Sequence, residues 1–397
     1  MTHNNPSIDL STQEHELLRQ MLHQLVHDST DPGLLFVPNA FGPAPAMALR
    51  VDAPGFHFEE AAGVADLATG TPVQPGDSFE IGSNTKMFTT ILLLQLEEEG
   101  ALSLDDPLSR WLPGWAEKIP HGREMTLRQF ANHTAGLWDY ADDIIGGGLE
   151  DPAFLRRRYT PAELVTYAIE QGQPVFAPGE EEKWQYSNTG YILLGLVLEV
   201  ATGRSYADLL QSRIFGPLEL HETSYPNDIP APGSIVQGYS WWPDGVNTTD
   251  WNLSQGGAAG GIVSTAGDMT TFLRALSQGR VFRDPQTLMR MAAFVRNEGL
   301  RQAKDERGYG IGLIEFVEQV WGHGGQTLGF ESAMMFVPGH EITLVALTNA
   351  AFGPIPLVKQ LTPVLRQLAG LGPAPSYEEM TTPLFEKLEA MRQQAQD

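Results

Sequence analysis

Apolar and polar positions follow several distinct periods along this chain, and the period changes at definable places. Leu17, Leu18, Met21, Leu22, Leu25 and Val26 recur at helical spacing behind a Ser11/Glu14 capping box, which predicts an amphipathic helix near the start. His23 and His27 lie four apart on it; with no third ligand near them in sequence they read as a solvated helix face. Residues 46–51 and 56–65 are strand-like, and the Ala53-Pro54-Gly55 turn between them predicts a hairpin. Residues 85–99 form a strongly apolar helical run that Gly100 stops.

Proline and glycine are then frequent between Leu104 and Gly245, among short helical patterns that include 161–171 and 191–202. Beyond this stretch, 268–278 reads as a helix behind a Ser264-Thr265 cap, and 308–316, 330–337 and 342–347 read as strands. Consecutive strands joined by short turns pair antiparallel, and helices that include 356–368 cover them. The expected fold is α/β of the α+β kind: an antiparallel sheet flanked by helices, with an inserted, mainly helical subdomain. Its parts are an N-terminal helix and lead-in (1–45), a sheet domain (46–104 with 250–369), the helical subdomain (105–249) and a tail with a terminal helix (370–397).

Composition narrows the function. A chain of 397 residues can bury a large core. A formal charge of −24 repels phosphate backbones and anionic lipid, so neither nucleic acid nor a membrane surface is expected as a partner. The absence of cysteine removes disulfides, thiol nucleophiles and cysteine zinc sites, so any catalysis falls to other side chains. Residues 1–10 show no basic region leading into an apolar segment, which gives a cytoplasmic expectation.

Three motifs carry candidate chemistry. Ser83-Asn84-Thr85-Lys86 is the only S-x-x-K in the chain and opens the apolar helix. Residues three apart share a helix face, so the Lys86 amine comes within reach of the Ser83 hydroxyl. Serine is a poor nucleophile until a base takes its proton, and desolvation of the lysine favours that transfer. Alone, the motif equally suits a serine cap beside a solvated lysine. In Tyr186-Ser187-Asn188 the phenol can act as general base and acid beside Lys86, and Asn188 offers an amide for a substrate or for the lysine; alone it is also a structural turn. In His323-Gly324-Gly325-Gln326 the glycines let backbone approach a ligand, a strand edge here could present an N–H to a developing oxyanion, and the N–H groups of Ser83 and Gln326 would form the oxyanion hole. Alone, this third motif reads as a glycine turn.

In this order the motifs resemble the serine β-lactamase-like, penicillin-binding family, which includes class C β-lactamases, D-alanyl-D-alanine carboxypeptidases, D-aminopeptidases and β-lactamase-fold esterases. That family shows S-x-x-K, Tyr-x-Asn and Lys or His-x-Gly at comparable distances. Thr126-Leu127-Arg128-Gln129 leading to His133-Thr134-Ala135-Gly136-Leu137, Leu104-Asp105-Asp106-Pro107, and Gly260-Gly261-Ile262-Val263-Ser264-Thr265-Ala266-Gly267-Asp268 extend the match from about Ala46 to Leu368. The resemblance implies a cleft between sheet and helical subdomain, a serine hydrolase acting through an acyl-enzyme, and no metal or other cofactor. It makes His133 a hydrogen-bonded structural residue of its loop.

One departure bears on substrate. Gly324 and Gln326 stand where carboxypeptidases and β-lactamases of this kind carry Thr or Ser that helps bind a carboxylate, and His323 replaces the β-lactamase lysine. An esterase or D-amino-acid amidase and peptidase activity on a small ester, amide or short peptide is therefore favoured over carboxypeptidase or β-lactamase activity. A non-catalytic binding protein of the same fold is the rival from another class. His323, Gly324, Gly325, Asn188, Tyr140 and Phe330 are the candidate substrate contacts, and Trp138, Trp184 and Trp242 lie near the motifs in sequence.

Overall fold

The computed structural model describes residues 12–26, 44–141, 143–144, 152–240, 246–300, 307–351 and 357–371. The tail helix expected after 370, together with Ser11, His27 and Trp242, lies outside these residues.

Helix α1, Thr12–Val26, turns Leu18, Leu22 and Val26 inward, as its spacing requires, while His23 is exposed. Strands β1 (Ala46–Ala53) and β2 (Phe56–Asp66) form the expected hairpin, in register from Ala46↔Gly63 to Ala53↔Phe56. Two short pairs follow in the chain: β3 (Thr71–Pro72) extends the hairpin, and β4 (Phe79–Glu80) leads to the apolar helix α2, Thr85–Glu98. Gly100 ends that helix with φ +70°, a left-handed conformation natural to glycine.

The next stretch contributes three helices that matter here. They are α3 (Leu127–Ala131), closed by a Thr126/Gln129 capping box, α4 (Pro161–Gln171) and α5 (Asn188–Thr202). Helix α5 begins three residues before the point its apolar spacing suggested, because Ser187 caps it by accepting from Gly190 N. Two-residue strands β5 (Tyr239–Ser240) and β6 (Val246–Asn247) pair together, and β7 (Val263–Ser264) pairs with β4. Helix α6, Ala266–Ser277, starts directly behind Thr265, whose side chain accepts from Asp268 N.

The remaining strands are β8 (Gly308–Tyr309), β9 (Ile314–Val317), β10 (Val320–Gln326), β11 (Glu331–Val337) and β12 (Ile342–Thr348), followed by α7 (Leu357–Leu368). They complete an eight-stranded sheet of order β3-β2-β1-β12-β11-β10-β9-β8 in which every neighbouring pair is antiparallel. The first hairpin docks on the last strand, so both ends of the chain build the sheet, as the pattern predicted. One difference from that reading stands out. Residues 308–316 form two short strands rather than one, because Gly312 turns at φ +64° where a Cβ would lie 2.4 Å from Thr90 Oγ1. The third motif occupies the last four residues of a seven-residue strand, the strand edge that its functional reading called for rather than the glycine turn it suits alone.

Helices cover both faces of the sheet. On the outer face Met47, Leu49 and Val51 of β1 and Leu344 and Ala346 of β12 pack with α1 and α7. On the inner face Ala46, Ala48, Val345 and Leu347 join the core of α2, α5 and α6. With the sheet covered on both sides, β11 and β12 are buried along their whole lengths, and β12 is mostly apolar rather than alternating. Among the described residues no helix is long and apolar enough to cross a membrane.

Candidate active site

The chain leaves β4 at Glu80, and Ile81 N donates to Ile262 O. A 3₁₀ turn, Gly82–Asn84, then feeds α2. Gly82 holds φ +50°, and a Cβ there would lie 2.7 Å from Gln326 N, so only glycine lets this turn approach the end of β10. Two polar side chains stitch the approach. Asn84 Nδ2 donates to Ser332 Oγ (2.7 Å) and to Ile81 O (3.2 Å), while Ser332 Oγ donates to Ile81 O (2.9 Å). Ser83 is left half-exposed at the head of a helix whose body is apolar and buried.

Lys86 follows one turn later with no solvent exposure. Its ammonium donates to Ser83 Oγ (3.0 Å), Asn188 Oδ1 (2.6 Å) and Ala259 O (2.9 Å). Three acceptors compensate the burial of the charge and fix the amine against the hydroxyl. The Tyr186 ring sits 4.7 Å from the same nitrogen and the Tyr191 ring 5.2 Å from it, both at cation–π range. Ser83, Lys86, Tyr186 and Asn188, scattered over a hundred residues of sequence, are thus one cluster.

Asn188 is oriented in turn. Its Nδ2 donates to Asp139 Oδ2 (2.8 Å), which leaves its carbonyl for the lysine, and Asp139 Oδ1 accepts from Ala141 N (3.1 Å). Asp139 was not picked out from the sequence; the signal available was a lone carboxylate two residues beyond the His133–Leu137 match. His133 holds φ +63° with its Nδ1 accepting from Ser187 N (3.1 Å), and its ring lies tilted against that of Tyr186 with centroids 4.3 Å apart. It is the hydrogen-bonded loop residue the resemblance implied, and it braces the Tyr186-Ser187 backbone.

On β10 the register sends alternate residues to opposite faces. Gly324 faces α7, where its Cβ position lies 3.2 Å from Val358, and Gly325 faces the nucleophile turn, with only 2.0 Å between a Cβ and Ile81 O. His323, opposite Met334 of β11, is buried on the inner face. Its Nδ1 contacts Gly324 O (2.5 Å); a carbonyl only accepts, so that nitrogen carries a proton, and Nε2 meets Tyr309 OH (2.9 Å). Both ring nitrogens are therefore engaged within the protein. Gln326 is exposed at the strand end beside Gly82.

Other candidates fall elsewhere. Tyr140 is buried, donates its hydroxyl to Gln255 O (2.5 Å), and is pushed by that burial well above the usual phenol range. Phe330 packs edge-on against Phe79 in the inner core. Trp184 donates to Asn132 O (3.0 Å) and lies beside the His133 and Tyr186 rings, while Trp138 closes over Gly172.

The fold agrees with the comparisons to known proteins. The family model for β-lactamases matches residues 46–364, and the chain belongs to that family of serine hydrolases. Among solved structures it is similar to a D-stereospecific amidohydrolase from a Streptomyces species, with 32% identity, TM-score 0.71, and coverage of 85% of this chain and 94% of the other. It also resembles the D-amino acid amidase of Ochrobactrum anthropi complexed with L-phenylalanine amide, with 27% identity, TM-score 0.73, and coverage of 89% and 98%. A penicillin-binding protein of Bacillus subtilis is 28% identical over 74% of this chain; the chain spans 65% of that relative's length.

Proposed function

We propose that the chain hydrolyses small esters or amides, of the D-amino-acid amide and peptide type, through an acyl-enzyme on Ser83. The observation that carries this reading is the buried Lys86 amine 3.0 Å from Ser83 Oγ, with Asn188, Ala259 O and the Tyr186 ring around it. Ser83 Oγ attacks the substrate carbonyl carbon as its proton passes to the Lys86 nitrogen in its neutral amine form, whose two N–H groups stay on Asn188 Oδ1 and Ala259 O, with Tyr186 completing the relay. The tetrahedral oxyanion is held by the N–H groups of Ser83 and Gln326. The same pair passes the proton to the departing amine or alkoxide, leaving an ester on Ser83. Water then attacks that ester, gives up a proton to the pair, and Ser83 regains one as the acid leaves.

The preference for amides and esters over carboxylate-ended peptides is supported by His323, whose ring nitrogens are engaged by Tyr309 and Gly324 O, and by Gly324 and Gln326 in place of hydroxyl side chains. The similarity to proteins named as D-amino acid amidase and D-stereospecific amidohydrolase points the same way. Ser83→Ala should lower turnover by roughly 10⁴-fold or more and abolish labelling by a fluorophosphonate, with folding intact. Undiminished turnover rejects the assignment. D-amino acid amides, p-nitrophenyl esters, a D-Ala-D-Ala peptide and nitrocefin, assayed side by side, rank the substrate classes; no adduct on Ser83 with any acylating probe would favour a binding protein of this fold.

A further inference from the structure

The segment that enters the nucleophile turn carries an acid that the chemistry above does not use. Glu80 is the last residue of β4 and is 1% exposed. Neither of its carboxyl oxygens has a hydrogen-bond partner among the described residues, and neither does Thr327 Oγ1, which is also buried. The two groups are near neighbours, Thr327 being the side chain close enough to influence the Glu80 carboxyl, yet no hydrogen bond joins them. Their positions matter more than their burial. Glu80 precedes Ile81-Gly82-Ser83, and Thr327 directly follows Gln326; between them lie the contacts in which Gly82 and Gly325 admit no Cβ. The threonine hydroxyl can donate to the carboxyl in either state and can also accept from a carboxylic acid O–H, but only the neutral acid makes the pair without leaving a buried charge.

We propose that Glu80, in its protonated form, is a positioning residue that latches the nucleophile turn to the oxyanion end of β10 through Thr327. This rests on the acyl-enzyme reading of Ser83. The surroundings keep the proton on. Burial pushes the Glu80 carboxyl up to about 8, and Thr327 is the one influence that pulls it down. The elements against it supply Val263 and Ser264 from β7 and Thr327 beyond β10, none of them ionisable in this range. The site's cation, Lys86, directs its ammonium to Ser83, Asn188 and Ala259 O. Above about pH 8 the acid ionises, the buried charge draws in water, and the gap between Ser83 and Gln326 loosens. Because the oxyanion develops only during reaction, kcat should fall while KM holds.

The test compares kcat and KM from about pH 6 to about pH 10 for the wild-type protein and Glu80→Gln, which is neutral throughout. The wild type is expected to lose kcat by up to about a hundredfold across the alkaline limb, the worth of one misplaced oxyanion donor, and the variant to lose that limb. An alkaline limb unchanged in Glu80→Gln, or a uniform loss at every pH in a folded variant, overturns the latch. Should the variant fail to fold, infrared difference spectra of the wild type decide: a protonated-carboxyl band that disappears between about pH 6 and about pH 10 is required, and its absence overturns the proposal. Fluorophosphonate labelling of Ser83 separates the two levels. A labelled serine with an unchanged limb sinks the latch alone, and an unlabelled one sinks the acyl-enzyme reading and the latch with it.

Discussion

Strands β10 and β12 are both seven residues long, lie one strand apart in the same sheet, and both pair with β11. Their sequences share almost nothing. β12, ITLVALT, is buried along its whole length and fills the space on both sides with methyl and methylene groups. β10, VWGHGGQ, gives up side chains at three positions, and at all three the vacated space is taken by other parts of the protein: Met334 O of β11 at Gly322, Val358 of α7 at Gly324, and Ile81 O of the nucleophile turn at Gly325. One strand maximises burial; the other sacrifices it so that a second stretch of backbone can come to van der Waals contact. A sheet can thus serve as core and as site without changing its hydrogen-bond ladder, provided glycine stands where the approach is made.

The comparison can be broken most sharply at Gly325. Gly325→Ala places a methyl group 2.0 Å from Ile81 O, so the turn or the strand must move. We expect kcat to drop by about 10² to 10³-fold, as for loss of an oxyanion donor, with a lowered melting temperature. Near-normal turnover would show that the glycines are not there for close approach. Leu344→Ala on β12 should do the reverse: it costs about 2–5 kcal/mol in denaturant unfolding but leaves kcat per folded molecule close to wild type. A loss of turnover beyond the unfolded fraction would mean that the two strands are not separable in this way. Ser332→Ala is the mildest test. It removes the hydroxyl between Asn84 and Ile81, but Asn84 Nδ2 keeps its bond to Ile81 O, so about 1 kcal/mol of stability and a few-fold loss of kcat are expected. A loss as large as that of Gly325→Ala would assign the stitching to the hydroxyl rather than to the glycine contacts.

Much of the scaffold could be read in advance where one local rule acted alone. The 53–55 turn set the first hairpin, Gly100 ended α2, and 342–347 read as the strand it forms. The readings that failed were those where local preference and tertiary contact pull apart. Glycine has poor strand propensity, so the third motif taken alone suits a turn as well as a strand edge; the ladder of β10 to β9 and β11 outweighs that preference. Likewise the 308–316 run looked like one strand because nothing in its own pattern reveals that Thr90 and the Lys86 carbonyl crowd Gly312.

Within the site the division is equally clear. The sequence alone determined which side chains were available and that Ser83 and Lys86 share a helix face, because a three-residue offset on a helix is a local geometric fact. It also supplied Tyr186 and Asn188 as members of an ordered set. Only the tertiary structure decided that Asp139 orients Asn188, that His133 braces the chain before it, that His323 spends its ring on Tyr309 and Gly324 O, and that Tyr140 and Phe330 lie in the core. Those relations join residues tens to hundreds of positions apart through hydrogen bonds and excluded volume, and no periodicity of a single chain records which distant segment will come to occupy the space beside it.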